Sequence, residues 1–103
     1  MEMIKTTKIG SKVISTFGLS DKYHKIACDR IANDQFGDIT KDGCFLSMPD
    51  DELIQNWIDQ NDDNSEFLKD AVNSGSTIYT LYETIIGDTA QPLGDVSVTY
   101  DYN

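Results

Sequence analysis

The chain has 103 residues, a net charge of −10 at pH 7, 39% apolar and 10% aromatic residues, and two cysteines. That length suits one domain with a single hydrophobic core, and the aromatic content argues against disorder driven by charge alone. No apolar run approaches the roughly 20 residues of a membrane span, and MEMIKTTKIGSKV at the start lacks the apolar core of a signal peptide, so a cytoplasmic location is the expectation.

From Met3 to Phe17, β-branched residues and threonines recur (Ile4, Thr6, Thr7, Ile9, Val13, Ile14, Thr16), interrupted by Gly10-Ser11. The pattern predicts two short strands, 3–9 and 12–17, joined by a tight turn. Ser20 then stands where a helix needs an N-cap. Tyr23, Ile26, Ala27, Arg30 and Ile31 fall at i, i+3, i+4, i+7 and i+8, which predicts an amphipathic helix from about Asp21 to Asp34. FGDITKDG (36–43) reads as a loop. GCFLSM (43–48) is either a brief strand or a segment that delivers Phe45 and Leu46 to the core.

A second helix is predicted after Ser47-Met48-Pro49, with Ser47 or Met48 in the cap region and Asp50, Asp51 and Glu52 just inside. It ends in the polar run 59–65. A third starts at an Asn64 or Ser65 cap and stops at Asn73-Ser74-Gly75. Leu53/Ile54/Trp57/Ile58 and Phe67/Leu68/Ala71/Val72 each read i, i+1, i+4, i+5, so all eight are expected to be buried against a sheet. TIYTLYETII (77–86) is a strand by composition. Val96, Val98, Tyr100 and Tyr102 alternate with Ser97, Thr99 and Asp101, which predicts a half-buried strand paired antiparallel to 77–86. The order is that of an α+β domain: a small antiparallel sheet of about four strands, with about three helices packed on one face.

Charge is unevenly spread. Residues 1–41 hold seven cations against five acids, a net of +2, whereas residues 42–103 hold thirteen acids against Lys69 alone, a net of −12. Its centre is Pro49–Asp70, where Asp50, Asp51, Glu52, Asp59, Asp62, Asp63, Glu66 and Asp70 crowd around that one cation.

Several chemistries can be weighed from residue types. Asp59, Asn61 and Asp63 occupy positions 1, 3 and 5 of a twelve-residue frame ending at Asp70, which resembles an EF-hand calcium loop. Against it, Asn64 replaces the sixth-position glycine, Asp70 is shorter than the usual bidentate glutamate, and a helix starting at Ser65 begins too early. His24 and Cys28 stand i, i+4 on the first helix and can touch, but no second histidine exists and nothing nearby supplies an oxyanion site. Cys28 and Cys44 are too few and too widely spaced for a thiol redox or zinc motif, and read as two core thiols. No phosphate-binding glycine motif is present, and the negative second half disfavours direct nucleic-acid binding. Glu83, the one acid inside an apolar strand, reads as facing out. These considerations predict no enzyme activity, no cofactor and no metal ligand, with a small calcium-binding module through 59–70 as an alternative reading.

What remains is the acidic stretch as a binding face. Its eight carboxylates approach the charge density of duplex DNA, which carries roughly one charge per 1.7 Å of axis. The expected partner is a basic protein that handles nucleic acid, with Trp57, Tyr79, Tyr82, Tyr100 and Tyr102 as possible anchors. In general profile the chain resembles phage anti-CRISPR and anti-restriction inhibitors, DNA mimics included, and the immunity proteins that neutralise basic nuclease toxins. That likeness is compositional. It implies an inhibitor acting through those eight acids, with oligomeric state left open.

Overall fold

A computed structural model describes residues 3–37, 43–85 and 89–101. The chain runs β1 (Ile4–Ile9), β2 (Lys12–Phe17), α1 (Asp21–Ala32), β3 (Cys44–Ser47), α2 (Asp51–Asp59), α3 (Ser65–Asn73), β4 (Thr77–Glu83) and β5 (Gln91–Tyr100). The strands form one antiparallel sheet in the order β1-β2-β5-β4-β3. It has five strands rather than about four, because Cys44–Ser47 pairs with β4 instead of merely carrying Phe45 and Leu46 inward. Among the described residues, no helix is long and apolar enough to cross a membrane.

The first hairpin turns on Gly10-Ser11. Gly10 has φ +61, whereas Ser11 keeps a negative φ; a positive angle at the first central position alone suits a type II′ turn and favours glycine there. β5 is the central strand, paired with β2 on one side and β4 on the other. Its β4 ladder slips once: Leu81 faces Gly94 but Tyr82 faces Pro92, so Leu93 is the extra residue of a bulge.

Strand alternation divides the core in two. Ile14, Leu46, Leu81, Val96 and Val98 face α1, where Ala27, Cys28 and Ile31 meet them. Residues of opposite parity, Phe17 and Ile78, face α2 and α3 and pack with Ile54, Ile58, Phe67, Leu68 and Ala71. The helices therefore lie on both faces of the sheet, a correction to the single-face arrangement. Periodicity identifies the apolar side of a helix but not the side of the sheet that receives it.

The same division revises β5. Val96 and Val98 are buried as expected, but so are Asp95 and Ser97 on the opposite face, because helices cover both sides of the central strand. Tyr100 is exposed at the end of β5, and Tyr102 lies outside the described residues. The two apolar tetrads are narrower than predicted. Ile54, Ile58, Phe67, Leu68 and Ala71 are buried and Trp57 is half-buried, whereas Leu53 and Val72 are 39% and 50% exposed. A short helix on a sheet buries only the centre of its apolar stripe, and these two fall at its margin.

Local capping explains the helix boundaries. Ser20 Oγ accepts from the Tyr23 N–H to start α1. At its far end Asp34 takes a left-handed conformation (φ 54), and the Gln35 N–H reaches back 2.8 Å to the Arg30 carbonyl. Lys12 donates to the Ile31 carbonyl at 3.0 Å and pairs with Asp34 at 3.2 Å, placing a cation at the helix C-terminus. The cap of α2 is Asp50, whose carboxylate accepts from the Leu53 N–H at 2.7 Å, and not Ser47 or Met48. Pro49 sits just outside the cap rather than in the first turn.

Candidate functional site

All eight carboxylates of 50–70 are exposed. Among the described residues none is in an ion pair, since the three salt bridges use Lys5, Lys8 and Lys12 with Asp21, Asp101 and Asp34. Two have local tasks: Asp50 caps α2, and Asp59 accepts from Gln55 Nε2 at 2.9 Å. They do not converge on one point. Asp50 and Asp51 edge a groove with Met48, Ile54 and Val72; Asp62 and Asp63 line a second; Asp70 borders a third beside Phe67 and Ser97. The acids ring the α2–α3 layer, with Lys69 the only cation in it.

The calcium-loop geometry is not formed. α3 begins at Ser65, leaving only 60–64 between the helices, and the described residues contain no cluster of three or more metal-ligating side chains that could hold a metal ion. Asn61, third in that frame, is left-handed with φ 54 and makes the turn between helices. Of the aromatic anchors, Tyr79 stacks on Phe36 with centroids 4.9 Å apart on the α1 side, and Tyr100 shares that side. Tyr82 stacks on Phe45 at 5.3 Å, at the β3 edge. Trp57 alone borders the same cleft as members of the acidic set.

That cleft, about 630 Å³, lies between the α2–α3 turn and the bulged start of β5. Asp62 and Asp63 stand on its rim and Trp57 and Phe17 on its walls. At its base is Asp95, a residue sequence patterning did not single out. Asp95 is only 6% exposed. Its carboxylate accepts from Asn64 Nδ2 in a short hydrogen bond and from Thr80 Oγ1 at 3.3 Å. Burial pushes its pKa above the ordinary value of 3.8, and those two hydrogen bonds pull partly the other way. Asn64 Oδ1 is itself buried with no donor. The sequence signal was an acid within the β-rich run GDVSVTY, at a position that only a doubly covered strand buries. Glu83, the acid that drew notice instead, is half-buried at the end of β4.

On the other face, His24 Nδ1 is 2.8 Å from Thr16 Oγ1 and Nε2 is 2.8 Å from Thr7 Oγ1, with Cys28 Sγ at 3.5 Å. Burial, then Lys5, lower the histidine pKa, and burial raises that of the thiol. Both shifts favour neutral groups, the reverse of the thiolate–imidazolium pair a nucleophile needs. The pair fastens α1 to β1 and β2. Cys28 and Cys44 are both buried and free.

A scan against protein-family models found no match, and searches of curated proteins and of solved structures found none either.

Proposed function

We propose that this is a non-enzymatic protein that binds a basic, nucleic-acid-handling protein through the acidic α2–α3 layer and thereby blocks it. The observation that carries the reading is that eight exposed carboxylates stand on one two-helix layer without an ion pair among the described residues. A nine-residue helix is about 13 Å long. Duplex DNA of that length carries roughly eight charges, so the layer offers a comparable density to a groove shaped for nucleic acid.

The test compares wild type with a variant carrying Asp→Asn and Glu→Gln at Asp50, Asp51, Glu52, Asp59, Asp62, Asp63 and Glu66. Asparagine at 50 keeps the helix cap, so stability should change by less than about 0.5 kcal/mol per site. Each protein is immobilised and exposed to a nuclease-treated extract. A basic nucleic-acid-binding protein held by wild type and lost by the variant is then purified and titrated from roughly 50 to 200 mM salt. Log affinity should fall linearly with log salt. Charge reversal of Lys22 and Lys25, exposed on α1, is the control. A partner bound equally by the neutralised variant, or with no salt slope, would refute the reading.

A further inference from the structure

Asp95 stands out because buried carboxylates are normally paired with a cation, and none of the described residues supplies one. Each of its oxygens accepts one hydrogen bond, from Asn64 and Thr80, out of about four acceptor positions on a carboxylate. The cleft thus combines unused acceptors on Asp95, two rim acids and two aromatic walls, and Asn64, which also lines it, has a buried Oδ1 without a donor. These polar groups call for donors and positive charge.

A purely structural role would be met better by asparagine at 95. Its oxygen could accept from Asn64 Nδ2 and its amide donate to Thr80 Oγ1, keeping both hydrogen bonds with no charge carried into the interior. The negative charge is therefore the feature that structure alone does not require.

We infer that the cleft receives the guanidinium of an arginine side chain presented by the basic partner. Guanidinium has five donors and no acceptor, which suits a carboxylate that still has unused acceptor positions. It stacks on an indole face, as Trp57 allows, and sheds water more readily than a lysine ammonium. Asp62 and Asp63 draw the cation in from the rim. The source of the arginine rests on the binding reading above, but the cleft can be tested without the partner.

Trp57 is the only tryptophan, so its fluorescence reports on this cleft directly. N-acetyl-arginine amide is titrated into the full chain, with the citrulline and lysine analogues in parallel, and amide NMR shifts locate the contact. Arginine should produce a saturable change centred on Trp57, Asn64 and Asp95, with citrulline inert and lysine weaker. Asp95→Asn should reduce arginine affinity about tenfold or more, the fold-change expected from losing a hydrogen bond to a charged group. If that variant fails to fold, Asp62→Asn with Asp63→Asn, both exposed, must still weaken binding. Absence of a saturable response, equal binding of lysine, or shifts located elsewhere would overturn the inference. An arginine response in a protein whose neutralised layer still binds its partner would leave the cleft standing and refute the layer instead.

Discussion

Asp95→Asn should stabilise the protein at neutral pH. In the native state the carboxylate loses water on a strand covered from both faces, and two neutral donors return only part of that loss. Its pKa is raised, so the folded protein holds the Asp95 proton more tightly than the unfolded chain does. Stability from this group is therefore present in full below the ordinary value of 3.8 and is lost as pH rises through the higher native pKa. Above the native pKa the whole penalty stands, and each unit of displacement is worth about 1.4 kcal/mol. Asparagine has the same shape, removes the charge and, with its oxygen toward Asn64 and its amide toward Thr80, keeps both hydrogen bonds, so a gain of about 1 kcal/mol is expected. Urea unfolding is the assay, since guanidinium is the chemistry inferred for the cleft. With a slope of about 1 kcal/mol/M the midpoint should rise by roughly 1 M at pH 7. The gap between variant and wild type should narrow as pH falls through the native pKa of Asp95. A variant less stable than wild type at pH 7 would show that the hydrogen bonds outweigh desolvation, and would remove the argument that the charge is dispensable to the fold.

Gly94→Ala should cost about 1–3 kcal/mol, because its Cβ would lie 2.5 Å from the Phe17 carbonyl oxygen and 2.8 Å from Leu19 Cδ2; a melt comparable to wild type would refute this. Lys12→Met should cost about 1 kcal/mol by stripping the C-terminus of α1 of its cation, and high salt should shrink the difference between the two proteins. Leu68→Ala should lose about 2–5 kcal/mol in denaturant unfolding, whereas Val72→Ala, half exposed, should lose under about 1 kcal/mol. Equal losses would mean that the margin of α3 is buried after all. His24, with its pKa held below 6.5, should destabilise the protein as pH falls from that value toward its native pKa; His24→Gln should remove this part of the acid sensitivity.

The elements were legible because each rests on neighbours in sequence. Strands 3–9 and 12–17, helix 1 and the start of helix 3 at Ser65 follow from β-branched runs, a 3.6-residue stripe and a polar break, and all are present. What escaped depends on partners distant in the chain. That α1 and the α2–α3 pair take opposite faces is decided by which parity of β2, β4 and β5 each helix covers, and parity carries no label. The burial of Asp95 follows from that arrangement: the residue is polar, on a strand read as half-exposed, and becomes interior only when 64 and 80 close over it. The eight acids were legible as exposed because they fall outside the apolar stripe of each helix. The division of five of them (Asp50, Asp51, Asp62, Asp63 and Asp70) among three grooves was not, since each groove is completed by residues from β2, β4 or β5.

The charge asymmetry along the chain becomes an asymmetry across the sheet. Lys5 and Lys12 point to the α1 face, where they engage Leu19, Asp21, Ile31 and Asp34, and α1 itself carries Lys22, Lys25 and Arg30. Among the described residues Asp21, Asp29, Asp34 and Glu83 oppose these five cations on that side. The α2–α3 layer on the other side carries eight acids against Lys69. A molecule polarised in this way is turned by the field of a basic surface before contact, presenting α2 and α3 first, which raises productive encounters without adding contact energy. Steering alone cannot choose among basic proteins, because any cationic patch would serve. Selectivity requires a site where the match depends on geometry, and the cleft beneath the α2–α3 turn has that character: a carboxylate fixed by Asn64 and Thr80, beside an indole, below two rim acids. Neutralising the exposed layer should therefore slow association at low salt, whereas Asp95→Asn should speed dissociation with association nearly unchanged.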